Sequence, residues 1–193
     1  DFAPIYAKNA AKVYLTVDDR GENYLRNVGG FTQIDDNNVD GVVFSKCDLT
    51  LNGDGHVYIE TPDGHGVVGK DDVVITGGSY DVTSSLHAFR GKDSIAVAGG
   101  NFNINCGKDG IQSDNDEDEP KGYIFVSSGN ITINAGDDGL TAVSSLQIDD
   151  GTVNITNSYE GIEARNITLN GGSISIVSSD DAINAVSPSG ETM

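Results

Sequence analysis

A short motif recurs along most of this chain: an acidic residue or a histidine, then a small residue, then an apolar side chain. Its copies begin at residues 40, 65, 87, 109, 138, 160 and 181, which gives intervals of 25, 22, 22, 29, 22 and 21 residues. A pair of turn residues, usually containing glycine, begins ten residues before each of the last five copies. The longest interval carries its extra residues within SDNDEDEPKG (113–122). Self-similarity at such a period is typical of a repeat architecture.

Each repeat divides into three short segments in which apolar and polar residues alternate. EGIEA, NITLN and GGSISIV, between residues 160 and 177, are one example of the three. Alternation with period two, interrupted by Gly, Asn and Asp, predicts strands. Stacked repeats with right-handed connections then predict an all-β fold, a single-stranded right-handed parallel β-helix. We expect about seven turns of roughly 22 residues with three strands each, forming one domain over 1–193.

The register of the repeats predicts which side chains share the core. Three inward ladders are expected, one for each strand of the repeat: Val67, Phe89, Ile111, Leu140, Ile162 and Ile183; Val73, Ile95, Ile124, Leu146 and Ile167; Tyr80, Phe102, Ile131, Val153 and Ile174. Each repeat hides its apolar edge against its neighbours, so no repeat is expected to fold alone. An earlier turn is expected to begin near residues 3–8, followed by a long excursion over 18–36.

Charge and composition exclude several classes of partner. The chain carries 30 acidic and 11 basic residues, a formal charge of −19, so nucleic acid and anionic membranes are not expected to bind. No apolar run approaches the ~20 residues of a membrane span. Cys47 and Cys106 are expected to lie two or more turns apart and to stay unpaired. Because the chain opens at Asp1 without a methionine, we expect a trimmed piece of a longer secreted or cell-surface protein.

Acidic side chains form a column in the stacked arrangement. The motif starts read Asp109, Asp138, Glu160 and Asp181 in succession, at a spacing of roughly 4.8 Å. Two unit charges at that distance repel by about 1 kcal/mol in water and about 3–4 kcal/mol at an effective dielectric of 20. Such a ladder is stabilised by a bound cation, unless the acids only cap strand ends and accept turn N–H groups.

Calcium is the cation that this residue set favours. Ca²⁺ takes six to eight oxygen ligands in flexible geometry, and no histidine or cysteine accompanies the acids, which argues against zinc. The acidic insertion at 113–122 lies at the edge of the same face and adds further oxygens, although solvation alone also explains it. The candidate metal ligands are Asp109, Asp137, Asp138, Glu160, Glu163, Asp180, Asp181, Asp114 and Asp116.

Candidate carbohydrate-binding residues fall in two places. A basic column at the end of the first strand contains Lys70 and Lys92 and suits an acidic polysaccharide, unless neighbouring aspartates neutralise it. Most aromatic side chains are expected to point inward. Tyr123 and Phe125 are the exception, because placing Ile124 and Val126 in the core turns both rings outward.

No catalytic residue is predicted. The chain has no Ser-His-Asp arrangement, phosphate loop or nucleotide fingerprint. A lyase acting on uronates would need a base near bound calcium to remove the proton alpha to the carboxylate. Arg90, Lys92, Lys108 and Arg165 are conceivable bases, but none has a recognisable lyase spacing.

Several of these segments together resemble a known family. DDGLTA, YEGIEA, DDAINA, SDNDEDEPKGYIFV, KDDVVITGGSY and KDSIAVAGGNF are similar to the bacterial carbohydrate-binding β-helix domain of secreted surface proteins. The resemblance implies a fold like that of polysaccharide lyases, binding of cellulose and acidic sugars, and bound calcium. The family's acids fall on Asp137, Asp138, Asp180 and Asp181, with Glu160 and Glu163 between them. Thr141 replaces a frequent histidine, and HAFRG (87–91) has lost the acid.

Residues and resemblance together predict a non-catalytic module that binds plant cell-wall polysaccharide and is stabilised by Ca²⁺. Cellulose and acidic polymers such as polygalacturonate are the expected ligands. Two alternatives stay open: a calcium-dependent uronate lyase and a structural spacer at the cell surface.

Overall fold

The computed structural model describes residues 1–186, and all regular secondary structure in that range is β-strand. None of these residues forms a helix long and apolar enough to cross a bilayer. All strand pairs are parallel, and each strand pairs with the equivalent strand of the next repeat. The predicted range 1–193 also includes 187–193, which lie outside the described residues.

The strands fall into three series, in the order that the repeats predict. The first series is β1 (Ile5–Ala7), β4 (Gly41–Ser45), β7 (His65–Gly69), β10 (Phe89–Gly91), β13 (Ile111–Ser113) and β20 (Ile183–Ala185). The second is β2 (Val13–Val17), β5 (Leu49–Gly53), β8 (Asp72–Ile75), β11 (Ser94–Val97) and β14 (Tyr123–Val126). The third is β3 (Glu22–Arg26), β6 (His56–Thr61), β9 (Ser79–Ser84), β12 (Asn101–Cys106), β15 (Asn130–Ala135), β17 (Thr152–Asn157) and β19 (Ser173–Ile176).

Two long strands join the first two series. β16 (Leu140–Ile148) and β18 (Ile162–Leu169) each contain a first and a second segment without an intervening turn. β16 therefore pairs with β13 through its beginning and with β14 through its end. The result is one sheet of 13 strands, while the third series forms a separate sheet of seven.

The three predicted core ladders are confirmed residue by residue. Phe89 lies opposite Val67 and Ile111 in the first series, and the second and third ladders pair in the same way. Almost all members are fully buried. The ladders become exposed at the last repeat, where Ile183 is 46% exposed.

The predicted excursion over 18–36 is partly wrong, because β3 lies within it and pairs with β6 from Glu22 to Arg26. The irregular segment is shorter and runs from 27 to 40. It covers apolar side chains that point away from the main core: Phe31 and Val39 pack with Phe44 and Val68 on the outer side of β4 and β7.

Glycine in the repeated motif has a packing role. A Cβ on Gly139 would lie 2.5 Å from Ile155 Cδ1 and 2.6 Å from the Gly161 carbonyl oxygen. The backbone at the motif therefore passes too close to the third series and to the next repeat to admit a side chain. The residue before this glycine is held at the start of the first strand, which places the column of acids.

Candidate functional site

In four copies of the motif, the side chain of the first residue accepts a hydrogen bond from a backbone N–H of the next repeat. His65 Nδ1 accepts the N–H of His87 at 3.2 Å, and His87 Nδ1 accepts the N–H of Asp109 at 3.1 Å. The series continues with Asp109 Oδ1, which accepts the N–H of Asp138 at 3.1 Å. Asp138 Oδ1 then accepts the N–H of Glu160 at 3.0 Å. The column therefore has a structural role as a chain of acceptors, independent of any ligand.

Histidine and aspartate are equivalent in this role. A neutral imidazole accepts at one nitrogen just as a carboxylate oxygen does. The rings of His65 and His87 stack with centroids 5.0 Å apart and planes 7° apart. Burial and the neighbouring His87 lower the pKa of His65 to about 3, so its ring stays neutral. His87 in HAFRG therefore replaces the acid of the motif and keeps its contact with the backbone of the next repeat. The sequence alone did not explain this replacement.

Asp109, Asp138 and Glu160 each accept a side-chain hydrogen bond, and one oxygen of Glu160 has no partner. The contacts are Gln112 Nε2 to Asp109 Oδ2 (2.8 Å), Thr141 Oγ1 to Asp138 Oδ2 (3.2 Å) and Asn184 Nδ2 to Glu160 Oε1 (2.7 Å). Glu160 is 8% exposed, and its Oε2 is buried without a hydrogen-bond partner among the described residues. A buried carboxylate oxygen without a donor is costly and calls for a proton or a cation.

Two groups of three carboxylates meet at Asp138. Oxygens of Asp138, Glu160 and Glu163 lie within 4.8 Å of one another, and so do those of Asp109, Asp137 and Asp138. We call these five residues the acid cluster. Burial, together with the nearby carboxylates and against the opposing Glu160 N–H, raises the pKa of Asp138 to about 6. Burial and the contact with Glu160 raise the pKa of Glu163 to about 8.

The other predicted metal ligands lie apart from the acid cluster. Asp114 accepts from the Arg90 guanidinium at 2.5 Å, and Asp116 is exposed in the insertion. Asp180 and Asp181 are exposed in the last repeat, where a hydrogen bond to Asp180 raises the pKa of Tyr159. Their role as ligands stays a prediction.

The predicted basic residues lie on the same outer surface as the acid cluster, which we call the first-strand face. Lys70 Nζ lies 5.4 Å from the centre of the Phe44 ring, and burial lowers its pKa, partly opposed by Asp40. Lys92 Nζ donates to the Asp114 carbonyl oxygen at 3.5 Å. Arg90 is three strands from Glu163 in register, about 14 Å.

The aspartates beside the basic column form no salt bridge with Lys70 or Lys92 among the described residues. Asp93 pairs with Lys121 at 2.7 Å. Asp48, Asp71 and Asp72 form a further group of three carboxylates. A hydrogen bond with Asp93, followed by burial, raises the pKa of Asp71 to about 6.

The outward orientation predicted for Tyr123 and Phe125 is confirmed, since both are half-buried between the buried Ile124 and Val126. The expectation that most other aromatic side chains point inward is wrong for Tyr24 and Tyr58 on the third series, whereas Tyr80 and Phe102 point inward. Tyr24 is 49% exposed, and its ring stacks on that of Tyr58 at a centroid distance of 4.7 Å. The alternation in HVYIET (56–61), with Val57 and Ile59 inward, is the signal that places Tyr58 outside.

Three comparisons with known proteins agree with one another. The family model described as "Carbohydrate-binding domain-containing protein" matches residues 1–190. A protein of the same description from Acetivibrio thermocellus is 32% identical over 167 residues. That match covers 86% of this chain but only 58% of the relative's length. A solved structure, described as the polysaccharide lyase-like protein from C. thermocellum, gadolinium derivative, is similar with a TM-score of 0.78 and 28% identity. It covers 96% of this chain and 72% of the solved one.

Proposed function

The chain belongs to the family of carbohydrate-binding domain-containing proteins, and we propose that it is a non-catalytic module for plant cell-wall polysaccharide. The proposed ligands are cellulose and acidic polymers such as polygalacturonate. We also propose that the repeats wind as a right-handed parallel β-helix of about seven turns, which the general handedness of parallel crossovers supports. The module is proposed to act outside the cell or on its surface, where such polysaccharides are found.

Calcium is the proposed cation of the acid cluster. The observation that carries this proposal is Glu160 Oε2, a buried oxygen without a donor beside Asp138 and Glu163. Burial and mutual repulsion raise the pKa values of these carboxylates because they make the ionised form unfavourable, and a bound cation offsets that cost. An all-oxygen set suits a hard cation such as Ca²⁺.

An acidic polysaccharide is the proposed ligand of the first-strand face. Its carboxylates would complete the coordination of calcium at the acid cluster, since Ca²⁺ has more sites than three side chains fill. Lys70, Arg90 and Lys92 lie on the same face and supply positive charge to further sugar carboxylates. The planar guanidinium of Arg90 also suits carboxylates, although it is paired with Asp114 in this structure.

A lyase is the second candidate, because the similar solved structure is described as polysaccharide lyase-like. Abstraction of a proton needs a base whose pKa lies near the working pH. Lys108 is the basic side chain beside the acid cluster, and its ammonium donates to Asp137 at 2.9 Å. This contact raises the pKa of Lys108, which is the opposite of what a general base needs. The geometry therefore favours binding over cleavage.

Affinity electrophoresis tests the proposal. We expect polygalacturonate in the gel to retard the protein when Ca²⁺ is present and to retard it less when a chelator replaces it. Glu160→Gln removes the charge at the unpartnered oxygen and is expected to abolish the effect of calcium. Asp54→Asn, at an exposed turn, is the matched control.

The same polymer and protein are incubated in solution with Ca²⁺ while absorbance of unsaturated product is followed. No product is expected. Product that disappears in Lys108→Ala would establish the lyase instead, and absence of any retardation by cellulose or polygalacturonate would favour a structural spacer.

A further inference from the structure

The outer surface of the seven-stranded sheet, which we call the third-strand face, has a different chemistry from the first-strand face. We propose that it is a second carbohydrate site, which binds a neutral polysaccharide without a cation. This inference rests on the proposed carbohydrate binding and adds the location and the charge of a second ligand.

The third-strand face is uncharged over most of its length. From β12 to β19 its outward positions carry amides and hydroxyls: Asn101, Asn103, Asn105, Asn130, Thr132, Asn134, Thr152, Asn154, Ser173 and Ser175. The whole chain has a formal charge of −19, so a surface of four strands without one ionisable group is unusual for it. A neutral ligand approaches this surface without the repulsion that an acidic polymer would meet elsewhere.

The amides on this face keep free hydrogen-bonding capacity. Asn101 accepts from Asn130 Nδ2 at 3.0 Å, and Asn105 accepts from Asn134 Nδ2 at 3.1 Å. Each such bond uses one donor of the donating amide, Asn130 or Asn134, and one acceptor position of the accepting amide, Asn101 or Asn105. The remaining groups point into solvent and match the paired donor and acceptor character of sugar hydroxyls.

Depressions along the face are continuous. One of about 310 Å³ is lined by His56, Asp81, Asn103 and Thr132, together with Asn101 and Asn130. A second of about 330 Å³ shares Asn101 and Asn130 and extends over the glycine turns that precede the third strands, where Asp150 is its one charged lining residue. The shared amides therefore lie between two concave surfaces, the shape expected for a site that holds a chain.

Aromatic side chains border this groove on the side of β6. The ring of Tyr58 stacks against Tyr24 at 4.7 Å and against His56 at 4.3 Å. Polar groups at this border bond within the protein: His56 Nε2 lies 2.5 Å from Asp81 Oδ2, and Arg26 Nε lies 2.9 Å from Glu60 Oε2. The border thus adds the apolar edges of the Tyr24 and Tyr58 rings to the uncharged strands.

Affinity electrophoresis with hydroxyethyl cellulose as the neutral probe and polygalacturonate as the acidic probe tests the site. Two variants alter it independently: Asn101→Ala combined with Asn130→Ala removes both partners of one amide contact, and Tyr58→Ala removes the central ring. Tyr14→Ala is the control, because Tyr14 is 65% exposed on β2 of the other sheet. Thermal melts identify any variant that fails to fold.

We expect hydroxyethyl cellulose to retard the wild type equally in Ca²⁺ and in chelator. Both altered proteins are expected to bind hydroxyethyl cellulose about tenfold more weakly than the wild type, and Tyr14→Ala is expected to bind it as the wild type does. Retardation by polygalacturonate is expected to be the same in all four proteins. The inference is overturned if the wild type is not retarded by the neutral probe, if its retardation needs calcium, or if both folded variants bind as the wild type does. The proposed function itself fails only when neither cellulose nor polygalacturonate retards the wild type.

Discussion

Replacing Asp138 with asparagine is expected to stabilise the calcium-free protein at neutral pH. The side chain is 9% exposed, and its pKa is raised on folding from 3.8 to about 6 by burial, with Asp109, Asp137 and Glu160 contributing. A raised carboxyl pKa means that the folded state favours the protonated form. Stability is therefore lost as the pH rises from about 4 to about 6, and the loss is complete above that range.

The size of the penalty follows from that shift. Each tenfold change in proton affinity corresponds to 1.36 kcal/mol, so ionisation of Asp138 costs roughly 2–3 kcal/mol. Asparagine keeps the size of the side chain and an oxygen for the Glu160 N–H, which Asp138 Oδ1 accepts at 3.0 Å. Its amide nitrogen faces Thr141 Oγ1, which can turn to accept. The variant removes the charge and preserves the contacts.

Urea unfolding in the presence of chelator measures this effect. At pH 8 we expect Asp138→Asn to raise the free energy of unfolding by about 2 kcal/mol, and at pH 4 to change it little. Asp150→Asn, at an exposed turn, is expected to change it by less than about 0.5 kcal/mol at either pH. With Ca²⁺ the order reverses, because only the wild type gains the binding energy. A calcium-free variant less stable than the wild type at pH 8 would refute the reasoning.

Three further outcomes follow from the packing. Ile111→Ala, at a fully buried ladder position, is expected to cost about 2–5 kcal/mol in urea unfolding; a cost below about 1 kcal/mol would contradict the continuous core. Gly139→Ala places a Cβ 2.5 Å from Ile155 Cδ1 and is expected to cost about 1–3 kcal/mol, whereas a neutral effect in the same assay would contradict the close approach. Burial raises the pKa of Cys106 to about 12, so its thiol is expected to react with Ellman's reagent at pH 8 only after denaturation; fast reaction of the native protein would show that the thiol is accessible.

The core could be predicted from the sequence because the repeat length is nearly constant. Once Phe89, Ile111 and Leu140 are assigned to the same position of the repeat, the parallel register fixes their contacts. β3 was not predicted, because ENYLR has one inward apolar residue, Leu25, and its tyrosine points outward, so no apolar alternation is visible. The backbone hydrogen bonds with β6 hold this segment as a strand.

The candidate site was predicted only in part, since side-chain contacts decide which acids meet. The sequence places Asp138 and Glu160 in one column, and the structure brings them together with Glu163. The spacing of the residues does not reveal that Asp114 turns to Arg90. Nor does it reveal that a histidine replaces an aspartate as acceptor, because this equivalence depends on the backbone N–H of the following repeat.

Diffraction from crystals grown with calcium tests the central claim most directly, because it locates the cation that the first-strand face is proposed to hold. We predict an anomalous difference peak between Asp138, Glu160 and Glu163, within about 2.3–2.6 Å of Glu160 Oε2. The same peak should be absent in Glu160→Gln crystals grown in the same solution. A wild-type structure in calcium without density at this position would contradict the account.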